Sequence, residues 1–171
     1  MINNSFIAVP YTKEYQMQLA PKFDCGSDAI NMFLLSSNAL DYGYGKTYII
    51  LYNYEILGYY NISTSCIQSE NGLRMGGSVY INYLALDKKY QKIQYGDGYI
   101  SDLLLGDCLN KIEYIRQNHL GLSFITLSST EEGKRMYERN GFEELDGEMS
   151  FAQNYGELKC TPMYLPLDLE D

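Results

Sequence analysis

The sequence predicts a mixed α/β domain of three layers, on three observations. Runs rich in β-branched and aromatic residues alternate with stretches of helical period. One run, residues 78–86, is apolar on both faces, as a central strand is. That run feeds a glycine-bearing loop and then a long helical stretch, a strand-loop-helix unit. The 171 residues suit a single domain spanning 1–171, and 46% hydrophobic against 20% charged residues supply one continuous core.

Residues 5–9 alternate weakly and end at Pro10, fitting a first strand. A helical stretch follows from Thr12. A clearer one starts near Ser27, a good N-cap residue, with Ile30, Phe33, Leu34 and Leu40 at helical spacing, and stops before Gly43 and Gly45. Residues 47–52 and 55–65 read as antiparallel strands joined by a hairpin turn at Asn53-Tyr54. A polar break at 69–77 precedes the central strand. There Val79, Ile81, Tyr83 and Ala85 share one face, and Tyr80, Asn82, Leu84 and Leu86 share the other.

A polar loop follows over 88–98. A helix over 99–118 then buries Ile100, Leu103, Leu104, Cys108, Ile112 and Ile115, and residues 122–127 form a short buried strand. Ser129 or Thr130 caps the next helix, with Glu131 and Glu132 at its positive end and Asn140-Gly141 at its stop. A last strand covers 163–167. No repeat, low-complexity segment or linker interrupts the order.

Charge and residue usage exclude several functions. Thirteen Lys and Arg against 22 Asp and Glu give a net charge of −9, most of it after residue 75. Such a surface repels phosphate backbones unless its few bases gather in one patch. The cysteines, Cys25, Cys66, Cys108 and Cys160, stand too far apart to start a zinc or redox motif and read as four separate buried thiols in a reducing compartment. With His119 as the single histidine, at a loop or helix end, a Ser-His-Asp triad and a histidine metal site are out, and no metal is expected. The start lacks a signal-peptide pattern and no run of ~18 apolar residues occurs, so a cytoplasmic protein without membrane contact is expected.

A buried strand that runs through a loop into a helix offers free amides for a phosphate. After a second buried strand comes Tyr137-Glu138-Arg139-Asn140-Gly141-Phe142. Together with Leu84-Ala85-Leu86 at the end of the central strand, these segments resemble the GNAT superfamily of acetyl-CoA-dependent N-acetyltransferases. Its pattern is Leu-x-Val on a central strand, a Gln/Arg-x-x-Gly-x-Gly/Ala loop, a helix, a strand, and Tyr-Glu-x-x-Gly-Phe. The last motif matches in full. The loop departs from the pattern: Gln91 stands at the first position and Gly96 at the last, Gln94 replaces a glycine, and counting back from the helix puts Ile100 at the final glycine. The offset reads as a four-residue insertion. Phe23-Asp24-Cys25-Gly26, Thr47-Tyr48-Ile49-Ile50 and Ile56-Leu57-Gly58-Tyr59-Tyr60 look like the branch that contains toxins acetylating aminoacyl-tRNA.

The resemblance implies a GNAT-like three-layer fold, with a mixed, mostly antiparallel sheet, splayed central strands and flanking helices. It implies acetyl-CoA as co-substrate, its pantetheine arm lying between the splayed strands. Contacts would come from Leu84, Ala85 and Leu86 through their backbone, from the loop residues Gln91, Lys92, Gln94, Tyr95, Gly96 and Gly98, from Ile100 and Ser101 at the helix start, and from Thr130 and Lys134. Tyr137 would protonate the departing thiolate. Among 18 tyrosines, packing is the alternative role. For the base, Tyr80, Asn82, Asp87 and bulk water all stay open. Lys88, Lys89, Lys92, Lys134, Arg135 and Arg139 form either a phosphate-binding patch or ordinary solvated charge.

The acceptor that the resemblance implies is a primary amine of a small molecule, a protein or an aminoacyl-tRNA. In the last case an antitoxin partner is implied. A non-catalytic module serving a protein partner is the alternative that the altered loop favours. The aromatic strands around Tyr48, Tyr52, Tyr59 and Tyr60 form a homodimer face or only core and rim.

Overall fold

The computed structural model describes residues 6–151 and 160–167. The chain divides into two compact units, each of two stretches: Met1–Ile62 with Tyr83–Asn110, and Ser63–Asn82 with Lys111–Asp171.

The first unit opens with β1 (Ile7–Pro10), α1 (Lys13–Gln18), α2 (Asp28–Leu35), β2 (Lys46–Tyr52) and the start of β3 (Glu55–Ser69). Its second stretch adds the end of β4 (Arg74–Leu86), a hairpin of β5 (Gln94–Tyr95) and β6 (Gly98–Tyr99), and the first turns of α3 (Ile100–Asn118). Strand order is β1, β2, β3, β4, with β1 and β3 both antiparallel to β2. Ser5, expected in the first strand, lies outside the described residues. Thr12 caps α1 by accepting the Tyr15 amide.

Helix α2 stops at Leu35, short of the expected Leu40, because Ser36 turns its hydroxyl back onto the Phe33 carbonyl at 2.7 Å. The chain continues in two 3₁₀ turns, Ser37–Leu40 and Tyr42–Tyr44. A buried polar chain ties the first of these to the sheet. Asn61 Nδ2 donates to Thr47 Oγ1 at 3.0 Å, and Thr47 Oγ1 donates to the Ala39 carbonyl at 2.7 Å. The hairpin turn at Asn53 and Tyr54 has φ of 49° and 60°, positive at both positions as a two-residue type I′ turn requires.

Aromatic side chains fill the core of this unit. Phe33 stacks on Tyr83 with ring centroids 4.0 Å apart, and Phe23 meets Tyr59 edge-on at 5.5 Å. Each buried phenol finds an acceptor: Tyr59 donates to the Ile30 carbonyl and Tyr11 to the Leu34 carbonyl, both at 2.8 Å. Burial pushes both phenols above their ordinary range. Tyr59 and Tyr60 are core residues, while Tyr48 and Tyr52 are half-buried. Along α3, Leu104, Leu105, Cys108 and Ile112 are fully buried, whereas Leu103 and Ile115 are only half-buried.

The second unit holds the rest of β3, β4 and α3, then β7 (Phe124–Ser129), α4 (Glu131–Arg139), β8 (Glu143–Glu144), β9 (Met149–Phe151) and β10 (Thr161–Pro166). Strand order is β3, β4, β7, β10, β8, with β9 on the free side of β3. The β4 and β7 pair is parallel, and the β7 to β10, β10 to β8 and β3 to β9 pairs are antiparallel. The parallel ladder runs from Ser78↔Phe124 to Ile81↔Leu127 and ends there, although β4 goes on to Leu86 and β7 to Ser129.

Strand β4 begins at Arg74, well inside the expected break. The turn is confined to the four residues between the strands, with Gly72 at φ +75° and Ser69 Oγ accepting the Leu73 amide. Gly76 is a strand residue because a Cβ there would lie 2.9 Å from both Ser123 and Phe124. Among the cysteines only Cys108 is buried; Cys25 and Cys66 are half-buried and Cys160 is exposed, which corrects the expectation of four buried thiols. No helix among the described residues is long and apolar enough to cross a membrane.

Gly58 is the tightest point of the first unit. A Cβ there would lie 2.9 Å from the Ala85 carbonyl oxygen and 3.0 Å from Leu104 Cδ2. Backbone cannot yield as a flexible side chain does, so Gly58→Ala is expected to lower unfolding free energy by about 1 to 3 kcal/mol. Urea denaturation checks this, and an unchanged midpoint would contradict the close approach.

Candidate functional site

Leu84, Ala85 and Leu86 form the last residues of β4, with Ala85 and Leu86 buried. The chain leaves the strand through Asp87, a carboxylate only 2% exposed. Its two oxygens accept the amides of Asp24 at 3.1 Å and Lys89 at 3.0 Å, while its own amide donates to the Leu57 carbonyl. Asp87, open at first as a base, is thus a fixed acceptor for two amides. Gln91 lies beside it. Its side-chain amide donates to the Leu86 carbonyl at 2.9 Å and the Cys25 carbonyl at 2.8 Å.

The loop over 88–98, expected as a plain polar loop, is partly ordered. Lys88–Tyr90 makes a 3₁₀ turn, and β5 and β6 pair Gln94↔Tyr99 and Tyr95↔Gly98 around Gly96 and Asp97. Gly96 has φ +58° at the first central position, which fits a type II′ turn. Lys92 also takes a left-handed φ, +59°. Gln91, Lys92, Gln94, Tyr95 and Gly96 are exposed, Gly98 and Ser101 half-buried, and Ile100 buried. At the entry to α3 the Ile100 amide donates to the Ile93 carbonyl and the Tyr99 amide to Asp102 Oδ2. The Asp102 carboxylate therefore stands at the positive end of the helix.

In the second unit Thr130 is the N-cap of α4, its Oγ1 accepting the Gly133 amide at 3.3 Å. Ser129, the other candidate cap, donates to the Thr130 carbonyl instead. Tyr137 is 8% exposed and meets Phe142 edge-on at 5.6 Å. Gly133 lies one turn earlier, where a Cβ would be in ordinary contact with the Tyr137 ring, 3.4 Å from Cε2. The Tyr137 carbonyl accepts the Phe142 amide, and Gly141 at φ +90° turns the chain out of the helix.

Lys88, Lys89 and Lys134 of the clustered bases are held by acids. Lys88 pairs with Asp24 and Lys89 with Glu55, each at 2.5 Å, and Lys134 pairs with Glu138 and Glu144. The Lys88 ammonium, with the Gly26 amide and Asn31, holds the Asp24 carboxyl well below the usual carboxylate range. Lys92 and Arg135 form no ion pair among the described residues. No group of three metal-ligating side chains occurs among the described residues.

The second unit also carries a cavity of about 510 Å³, lined by Ser63, Thr64, Ser65, Cys66, Arg74, Tyr80 and Asn82. Of these, Tyr80 and Asn82 are the two that the sequence offers as candidate bases. Tyr80 donates to Ser128 Oγ at 3.1 Å and Asn82 to Ser63 Oγ at 2.9 Å. The alternating hydroxyls of β3 were the available signal for the rest.

No protein-family model and no curated protein matches the chain. Solved structures do. The crystal structure of a bacterial toxin matches with TM-score 0.72 at 19% identity, over 95% of this chain and 91% of that one. AtaT complexed with acetyl-methionyl-tRNAfMet matches with TM-score 0.71 at 21% identity, over 95% of each chain. AtaTR bound with AcCoA matches with TM-score 0.68 at 22% identity, over 94% of this chain and 92% of that one. The chain has a GNAT-like fold. At these identities the likeness is one of fold.

Asp87→Ala removes both acceptors for the Asp24 and Lys89 amides. The expected loss is about 2 to 3 kcal/mol of stability, with a smaller loss for Asp87→Asn, which keeps one acceptor oxygen. Thermal unfolding of the two variants checks the order, and equal stability with the parent chain would contradict it.

Proposed function

We propose that this chain is an N-acetyltransferase that moves the acetyl group of acetyl-CoA to a primary amine, with Tyr137 as general acid. The observation that carries the reading is the extent of the likeness: 94–95% of the chain matches structures that include AtaTR bound with AcCoA and AtaT complexed with acetyl-methionyl-tRNAfMet.

In the proposed reaction the amine nitrogen attacks the acetyl carbonyl directly. A C–N bond forms, the C–S bond breaks, and the thiolate takes the phenol proton of Tyr137 while the amine proton passes to water. Backbone groups of Leu84 to Leu86 polarise the carbonyl as oxyanion donors do, a role independent of their side chains. The residues present suit the phosphates of CoA in part. Lys92 is an exposed base without a carboxylate partner among the described residues, and the first turn of α3 has amides without intrahelical acceptors. The Asp102 carboxylate opposes them, as the altered loop leads one to expect.

Acetylation of an aminoacyl-tRNA, with toxicity and an antitoxin partner, is the finer form of this reading and is favoured by the tRNA-bound AtaT likeness. A net charge of −9, with Lys88, Lys89 and Lys134 already paired, makes the RNA backbone a weak source of affinity.

Tyr137→Phe removes one proton donor and little volume. Turnover of acetyl-CoA is expected to fall about 10²-fold or more, with acetyl-CoA affinity unchanged, because the phenol acts on the leaving thiolate. Steady-state kinetics with a thiol-trapping reagent checks this. Equal turnover would remove Tyr137 from the reaction.

A further inference from the structure

The cavity on β3 and β4 has an unusual balance of groups. Among the described residues its lining contains one formal charge, the guanidinium of Arg74, and no carboxylate. Arg74 forms no ion pair among the described residues, although acids outnumber bases 22 to 13 along the chain. Ser63 Oγ accepts the Asn82 amide, which leaves its own hydrogen to donate to a further acceptor. Ser65 Oγ is buried and has no hydrogen-bond partner among the described residues. Tyr80 gives its hydrogen to Ser128 and holds one wall in place. Donors outnumber acceptors here, and the missing complement is a group with several acceptor oxygens and negative charge.

We infer that this cavity binds an oxyanion, a carboxylate or a phosphate, carried by the acceptor amine. That the carrier is the acceptor rests on the acetyltransferase reading; the oxyanion site itself does not. The group held by Arg74 and Ser63 therefore selects acceptors whose amine is accompanied by an anionic oxygen group. Polyamines and other purely cationic amines find no counter-charge among the described lining residues.

Cys66 lines the same cavity and reports on it. The full chain is treated with neutral iodoacetamide at constant ionic strength in chloride, in inorganic phosphate and in acetate, without acetyl-CoA, and each cysteine is followed by peptide mass spectrometry. Phosphate or acetate is expected to slow alkylation of Cys66 several-fold and leave the exposed Cys160 unchanged. Protection by phosphate alone assigns a phosphate-bearing acceptor, and protection by acetate alone a carboxylate-bearing one. Arg74→Ala is expected to abolish the protection and Arg74→Lys to retain part of it, with the buried Cys108 unmodified in both as the sign of an intact fold. Equal Cys66 rates in all three anions, or full protection in Arg74→Ala, would overturn the inference. Because acetyl-CoA is absent, the outcome is separate from whether the chain binds it.

Discussion

One buried carboxylate fixes the end of the strand on which the proposed chemistry depends. Asp87 accepts the amides of Asp24 and Lys89, and its own amide reaches Leu57 on β3. Gln91 adds a second tie, joining the Leu86 and Cys25 carbonyls. The segment that meets them is itself braced: Asp24 accepts Gly26 and Asn31 and pairs with Lys88. A strand end tied through so many backbone groups presents its remaining amides and carbonyls in a fixed direction, which an oxyanion site requires. The closeness of Gly58 to the Ala85 carbonyl belongs to the same constraint, since it sets how near β3 comes to the last residues of β4.

Much of this fold was legible in the sequence because its signals are local. The Asn53-Tyr54 turn, the two-faced apolar run of β4, the Thr130 cap with two glutamates behind it, and Gly141 after the last turn of α4 each follow from a few adjacent residues. The misses are as physical. Helix α2 stops early because a serine hydroxyl competes for a carbonyl, which periodicity does not register. Gly76 read as a turn residue, yet it is a point of close packing against Ser123 and Phe124. The hairpin over 94–99 looked like polar coil because two-residue strands leave no alternation to count.

The candidate site divides along the same line. Tyr137 is marked by its place before Gly-Phe, and the structure adds its packing: Phe142 lies edge-on against its ring. The basic patch was a count of nearby bases. Lys89 and Lys134 instead meet Glu55 and Glu144, partners set by tertiary structure. The cavity was illegible for a related reason. Ser63 and Ser65 lie on one strand and Arg74 and Asn82 on another, so pairing, not spacing, assembles them.

The central claim is that this chain binds acetyl-CoA, and a thermal melt of the purified protein across a range of acetyl-CoA concentrations tests it most directly. A ligand that binds only the folded state stabilises it by RT ln(1 + [L]/Kd), about 2.7 kcal/mol at a hundredfold excess over Kd. The account predicts a melting temperature that climbs steadily with acetyl-CoA. A melting temperature that stays flat up to millimolar acetyl-CoA would contradict it and leave a GNAT-like fold without the reaction.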